Sequence, residues 1–195
     1  MAKRTSQNKN NKKSVLSVVI RCTVVLLIAA YVALAAVKWY LYPVRLYTAS
    51  IEKYSTEYEL DPLFVYAVIH TESGFDARAE SGAGARGLMQ ITDETYQWIK
   101  SKIAPHDESD FEDMFGGDAN IWYGCYFLSR CIDRYGDLPT AIAAYHSGWG
   151  TVDALLQNES YSSDGITLHT FPYPQMERYV KKVTCAYEIY QMLYR

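Results

Sequence analysis

An apolar run from Val15 to Val37 constrains this chain more than any other feature of its sequence. Arg21 is the only charged residue in the run, and the length meets the roughly 20 residues that a helix needs to cross a bilayer. Arg21 lies near one end, where its long side chain can reach the membrane interface. The sequence therefore predicts one transmembrane helix over residues 15–37.

The flanks of this run predict its orientation and the organisation of the chain. A basic cluster that includes Lys12 and Lys13 precedes the run, whereas Trp39 and Tyr40 follow it like an interfacial aromatic belt. The positive-inside rule then places the amino terminus in the cytoplasm of a single-pass membrane protein. The predicted organisation is a basic cytoplasmic tail without assigned fold (1–14), the transmembrane helix (15–37), a juxtamembrane linker (38–49) and an extracytoplasmic domain (50–195).

A cleaved signal peptide is the alternative interpretation of the same run. The tripeptide Ala33-Leu34-Ala35 has the small-x-small pattern that precedes a cleavage site. The length of the run favours retention as an anchor. Both interpretations export the domain that follows.

The charge of the exported region argues against nucleic acid as a partner. Residues 1–45 hold 8 of the 19 basic residues and no acid, so residues 46–195 combine 11 basic with 22 acidic residues. Their net charge of −11 repels a phosphate backbone.

Residues beyond the run show 3.6-residue periodicity and almost no alternating β-branched segments, which predicts an all-α domain. Capping residues and glycines mark the helix ends. The predicted helices cover 62–73, 93–103, 118–135, 138–146, a segment from about 151, and 174–195. Cys125 and Cys131 are expected to be buried thiols, with a bridge from Cys185 to one of them left open.

Glu72 continues an apolar stripe on the helix predicted over 62–73. Val65, Val68, Ile69 and Glu72 recur at i, i+3, i+4 and i+7, so the carboxyl group faces the core. Burial and the carboxyl end of a helix both raise the pKa of a carboxyl group, which suits a general acid. The same placement also fits a structural acid that caps or pairs beneath the glycine loop that follows.

Several motifs together resemble the soluble lytic transglycosylase family. They are the pair Glu72-Ser73, the loop SGAGARGLMQI at 81–91, AYHSG at 144–148, FPYP at 171–174 and YVK at 179–181. The order and spacing agree with the family over roughly residues 50–195. The resemblance implies a lysozyme-like helical domain with a cleft for the glycan strands of peptidoglycan.

The resemblance also implies roles for individual residues. Glu72 takes the position of the family's single catalytic acid and base, and Tyr145 that of a tyrosine which approaches it. Ser81 and Gln90 match positions that contact the substrate's N-acetyl group, with Met89 beside them. Two further tyrosines, Tyr173 and Tyr179, match the last motif and are expected to bind substrate.

The implied reaction cleaves the β-1,4 bond between N-acetylmuramic acid and N-acetylglucosamine without water and leaves 1,6-anhydro ends. One carboxyl group suffices because the nucleophile belongs to the substrate itself. No metal or cofactor is expected, since the histidines lack ligand spacing and no phosphate loop occurs. Peptidoglycan and the membrane are the expected partners, with cell-wall or secretion machinery left open.

Two departures from the family pattern affect the predicted cleft. His146 and Ser147 replace the usual asparagine and alanine, and Gln175 stands where some relatives carry an acid. Two alternative functions remain. A second carboxylate would make the chain a hydrolytic muramidase, and a domain that holds glycan without cutting it would be a scaffold module.

Overall fold

The computed structural model describes residues 2–106 and 108–195, with side chains from Leu16 onward. The chain divides into two units, residues 1–43 and 44–195. The second unit starts ahead of the predicted domain boundary at residue 50. Val44 already belongs to it, because its carbonyl oxygen accepts hydrogen bonds from the hydroxyls of Tyr66 and Thr48.

The first unit is one long helix. Helix α1 covers Ala2–Ala36 and continues into a π-helical turn, Val37–Leu41. The segment Leu16–Leu41 of this unit is long and apolar enough to cross a membrane. Its mean hydropathy is 2.5, and none of its apolar stretch is buried in the structure. The helix also includes the tail to which the sequence assigned no fold, since propagating an existing helix requires little from each added residue.

The second unit is built from seven α-helices in the part of the chain that the structure describes. They are α2 (Thr48–Glu57), α3 (Pro62–Glu72), α4 (Asp93–Ile103), α5 (Gly117–Tyr135), α6 (Leu138–Ser147), α7 (Trp149–Leu156) and α8 (Pro174–Tyr194). A 3₁₀ turn, Phe111–Phe115, precedes α5. No strand forms among the described residues, which confirms the all-α prediction.

The helices begin where the sequence places capping residues. The Asp61 carboxylate accepts from the amide of Leu63 at the start of α3, and the Thr92 hydroxyl accepts from Thr95 at the start of α4. Gly136 ends α5 with φ of 65°, a left-handed conformation that glycine adopts without strain. These local signals explain why most helix bounds agree with the sequence.

Helix α3 is central to the packing. It lies against α8, and α6 packs on both α5 and α8. Val65, Ala67 and Ile69 of α3 are fully buried. Helix α3 thereby packs between α2, which precedes it, and α8 from the end of the chain.

Candidate active site

Glu72 is the last residue of α3, and its carboxyl group meets a tyrosine from α8. The Tyr179 hydroxyl donates a hydrogen bond of 2.6 Å to Oε1 of Glu72. Burial raises the pKa of Glu72 to about 7, and the hydrogen bond from Tyr179 opposes this rise. Glu72 takes part in no ion pair among the described residues. A carboxyl group that keeps its proton near neutral pH can act as a general acid.

Tyr145 lies close to the same carboxyl group from the side of α6. Its buried hydroxyl donates to the carbonyl oxygen of Met89 at 2.8 Å. Burial and the nearby Glu72 raise the pKa of Tyr145 and of Tyr179 well above the usual value. Both tyrosines therefore stay protonated and act as hydrogen-bond donors.

The glycine loop is tied to the end of α3. The hydroxyl of Ser73 donates to the carbonyl oxygen of Leu88 at 2.9 Å. Ser81 stabilises the turn before it, because its hydroxyl accepts from the amide of Ala85 at 3.0 Å. A side chain at Gly82 or Gly84 would meet open space, so the loop backbone there is accessible to a ligand.

Gln90 and Met89 occupy different environments. Gln90 has φ of 51°, and its side-chain amide donates to the carbonyl oxygens of Gly87 and Ala79. Its side chain is partly exposed. Met89 is fully buried, and its sulfur packs where Gly124 has no side chain. The structure thus places Gln90 at the surface of the loop and Met89 beneath it.

Asn120 was not singled out by the sequence, yet it fixes the loop. This fully buried side chain accepts from the amide of Met89 at 2.7 Å and donates to the carbonyl oxygens of Arg86 and Met114. A side chain at Gly87 would come within 2.1 Å of the Met114 carbonyl oxygen. The one signal in the sequence was an asparagine near the start of an amphipathic helix. An asparagine that merely caps the helix gives the same signal.

His146 and Tyr173 line a groove next to Tyr179. The imidazole of His146 stacks on the Tyr179 ring with centroids 4.3 Å apart and planes 12° apart. Partial burial lowers the pKa of His146. A groove of about 360 Å³ is lined by His146, Ser147, Thr151, Tyr173 and Gln175, with Tyr173 46% exposed.

The candidates for a second catalytic carboxylate are all exposed residues, and none of them is bonded to Glu72. Glu80 pairs with Arg86, Asp76 accepts from the amide of Arg78, and Asp93 accepts from Gln97. Glu94 lines a separate groove beside Trp98. The described residues contain no cluster of three or more histidine, cysteine or acidic side chains that could hold a metal ion.

The three cysteines of the second unit are all free thiols in the structure. Cys125 and Cys131 are buried free thiols, and Cys185 is exposed and free. The expectation of buried thiols is therefore confirmed, and the bridge that was left open does not form in this structure.

Comparison with known proteins gives consistent matches. Residues 49–166 match the family model described as the transglycosylase SLT domain. A transglycosylase of Enterobacteria phage PRD1 is 36% identical over 107 residues, which cover 55% of this chain and 37% of the phage protein. The membrane-bound lytic murein transglycosylase C of Actinobacillus pleuropneumoniae is 30% identical over 169 residues, or 75% of this chain and 46% of that protein. The chain thus spans less than half the length of either relative.

Solved structures show the same fold. The 70 kDa soluble lytic transglycosylase of Escherichia coli superposes with a TM-score of 0.68 at 23% identity, over 77% of this chain and 25% of that one. An inactive glutamate-to-glutamine mutant of the lytic transglycosylase Slt from Pseudomonas aeruginosa gives 0.66 at 25% identity, over 77% and 24%. The predicted lysozyme-like helical fold is confirmed.

Proposed function

This chain belongs to the transglycosylase SLT domain family, and we propose that it is a peptidoglycan lytic transglycosylase with Glu72 as its single acid and base. The observation that carries the proposal is the placement of Glu72 at the end of α3, with Oε1 bonded to Tyr179 and a pKa raised to about 7. The inactive mutant of the Pseudomonas aeruginosa relative, a glutamate-to-glutamine change, supports a glutamate of this kind.

The reaction starts with protonated Glu72. The carboxyl group donates its proton to the glycosidic oxygen as the bond from that oxygen to the anomeric carbon of N-acetylmuramic acid breaks. Glu72 is then a carboxylate, and it accepts the proton of the muramyl 6-hydroxyl while that oxygen bonds to the anomeric carbon. The nucleophile is already attached to the substrate, so its high effective molarity replaces an activated water. The products are a 1,6-anhydro end and a free 4-hydroxyl.

The tyrosines hold this acid in position. Tyr179 donates to Oε1, so the carboxylate formed in the first step is stabilised while the other oxygen remains for proton transfer. Tyr145 fixes the Met89 carbonyl and, through it, the glycine loop. In this proposal Ser81 and Gln90 contact the N-acetyl group, Tyr173 contacts the sugar beyond the cleaved bond, and Met89 acts from beneath by supporting the loop.

Replacement of Glu72 by glutamine tests the proposal. Glutamine cannot donate an acidic proton, so release of fragments from purified sacculi should stop while binding to sacculi persists. Glu177→Gln is the matched control, since Glu177 is a surface acid paired with Lys181. Mass analysis of the wild-type digest should show anhydro ends. Reducing muramic acid ends would instead establish the hydrolytic muramidase, and binding without any release would establish the scaffold module.

We further propose that the segment around Leu16–Leu41 anchors the enzyme in the cell membrane with the amino terminus in the cytoplasm. Its length, its hydropathy and the tryptophan and tyrosines near its end support this arrangement. A protease added to intact spheroplasts should degrade the domain and spare an amino-terminal tag. Degradation of the tag instead would reverse the orientation.

A further inference from the structure

A second groove, walled by aromatic rings, lies where α4, α5 and α7 meet. Its volume is about 290 Å³, and Trp98, Phe127 and Trp149 form its walls. The two indole rings are 5.1 Å apart and nearly perpendicular, with 79° between their planes. Together the two rings form an aromatic wall of the groove, and Glu94 and Thr95 add oxygen atoms beside it.

The indole of Trp149 is held rigidly. Its Nε1 donates to the sulfur of Cys131 at 3.2 Å. The Phe127 ring stacks on the indole, with ring centroids 5.9 Å apart and 23° between the ring planes. The guanidinium of Arg134 lies 5.3 Å from the ring centroid. Since the polar atom of the indole is bonded inside the protein, the part of the ring that remains exposed is apolar. A ring fixed in this way loses little conformational entropy on binding a ligand.

This groove lies near the candidate active site, separated from it by the buried ring of Tyr145. The Phe127 ring contacts the Tyr145 ring with centroids 5.2 Å apart, and Tyr145 approaches Glu72. Gly148, three residues after Tyr145, lines the groove. Only the rings of Tyr145 and Phe127 separate Glu72 from the groove, so a glycan strand bound at Glu72 lies close to the two tryptophans.

We propose that the groove is a sugar-binding subsite that holds a glycan unit of the same strand, away from the bond that is cut. This inference rests on the proposed function, because that function makes a glycan strand the ligand of the groove. A pyranose ring has apolar C–H faces that pack on aromatic rings and hydroxyls that donate to oxygen atoms such as those of Glu94. The volume, near the lower end of the range of about 300–1,000 Å³ for small-molecule sites, accommodates about one sugar ring.

The charge of the surroundings favours a neutral occupant. Glu94 lines the groove, and residues 46–195 carry net charge −11. The guanidinium of Arg134 beside Trp149 is paired with Asp153, so it leaves no free positive charge for an anion. Lipid headgroup phosphates and acidic peptides are therefore repelled, whereas uncharged sugar hydroxyls are not. Binding energy from this remote unit assists turnover only when the strand is long enough to reach it. The enzyme should accordingly prefer long strands to short ones.

Gly150 offers a way to fill the groove without removing a contact. It lines the groove inside α7, has no positive φ, and a side chain there would meet open space. Gly150→Leu should therefore fold and occupy the place of the sugar. Ala154→Leu is the matched control, since Ala154 is an exposed residue one turn further along the same helix. Trp98→Ala supplies a second variant that opens one wall.

The first experiment compares kcat/KM for long, peptide-free glycan strands with that for a tetrasaccharide. The ratio of long to short should fall about tenfold in Gly150→Leu and in Trp98→Ala, and should keep its wild-type value in Ala154→Leu. An unchanged ratio in Gly150→Leu overturns the subsite.

The second experiment is independent of turnover. Chitohexaose is titrated into Glu72→Gln protein that also carries Gly150→Leu or Ala154→Leu, with calorimetry and tryptophan fluorescence as readouts. We expect about tenfold weaker binding with Gly150→Leu than with the control. Equal affinities mean that the groove takes something other than sugar and overturn the proposal. If the wild type releases nothing from sacculi, the proposed function fails, and the titration still decides whether the groove binds sugar.

Discussion

At the scale of single residues, the protonation of Glu72 controls the proposed chemistry. The acid form is the active one, and burial raises its pKa to about 7. We predict that kcat/KM is constant below this pH and falls about tenfold per pH unit above it. His146→Asn should leave this alkaline limb in place, because the imidazole pKa is lowered and its titration falls on the acid side. Both predictions are checked by pH–rate profiles of the wild type and of His146→Asn. If the alkaline limb disappears in the variant, the limb belongs to the histidine and not to Glu72.

Tyr179→Phe removes the hydrogen bond that stabilises the carboxylate form of Glu72. The pKa of Glu72 should rise by about one unit, because a hydrogen bond to a charged group contributes about 1.5–3 kcal/mol and one unit corresponds to about 1.4 kcal/mol. The alkaline limb then moves to higher pH while kcat falls. A lower kcat with an unmoved limb would mean that Tyr179 positions substrate without acting on Glu72.

The free energy of unfolding should also depend on the protonation of Glu72. The folded-state pKa of Glu72 lies above its unfolded value, so the folded protein binds the proton more tightly, and stability falls as pH rises from about 4.5 through about 7. Glu72→Gln has no charge to bury. At pH 8 it should be more stable than the wild type by an amount on the order of 3 kcal/mol, a gain that disappears near pH 4. Urea unfolding at both pH values measures this, and a gain that is independent of pH would contradict it.

At the scale of elements, the glycine loop depends on a contact with α5. Asn120 bonds one amide and two carbonyl groups of the segment 86–114, and its side chain is fully buried. Asn120→Asp keeps the shape, loses both donated hydrogen bonds and introduces a buried charge. We predict a loss of stability of about 2–4 kcal/mol and a larger relative loss of activity, since the loop leaves its place beside Glu72.

Asn158→Asp is the control for this change. Asn158 is exposed, and its Oδ1 accepts from the amide of Ser160, a bond that aspartate retains. Its urea midpoint and activity should match the wild type. Equal behaviour of the two variants would show that Asn120 has no special part in holding the loop.

At the scale of the whole molecule, the chain divides into two units, residues 1–43 and 44–195. The second unit contains its own buried core, and the Val44 carbonyl oxygen already accepts a hydrogen bond from Tyr66 within it. We predict that a fragment of residues 44–195 folds, stays in the soluble fraction and keeps its helical circular dichroism, while the full chain sediments with membranes. Amino-terminal sequencing of the full chain then separates a retained anchor from a cleaved signal peptide. A fragment that aggregates would show that the division does not separate independent folding units.

The sequence by itself determined the apolar helix, the helical class of the domain and most helix bounds. These features depend on local chemistry: periodicity, an aspartate or threonine at the start of a helix, a glycine at its end. The position of Glu72 as a core-facing acid was also local, because it follows from the spacing along one helix. The start of α2 has no such local signal, since no side chain caps it and Tyr47 precedes it in a left-handed conformation.

Only the tertiary structure decided what surrounds that acid. Tyr179 is separated from Glu72 by 107 positions, and Asn120 from Met89 by 31. The packing of α8 and α6 against α3 and α5 brings these groups together, and it also places Met89 beneath the loop and His146 on Tyr179. Contacts between distant residues depend on how several helices fill one core, which no local pattern encodes. The sequence thus indicated an acid, and the packed helices gave it a raised pKa, a hydrogen-bond partner and an adjoining aromatic groove.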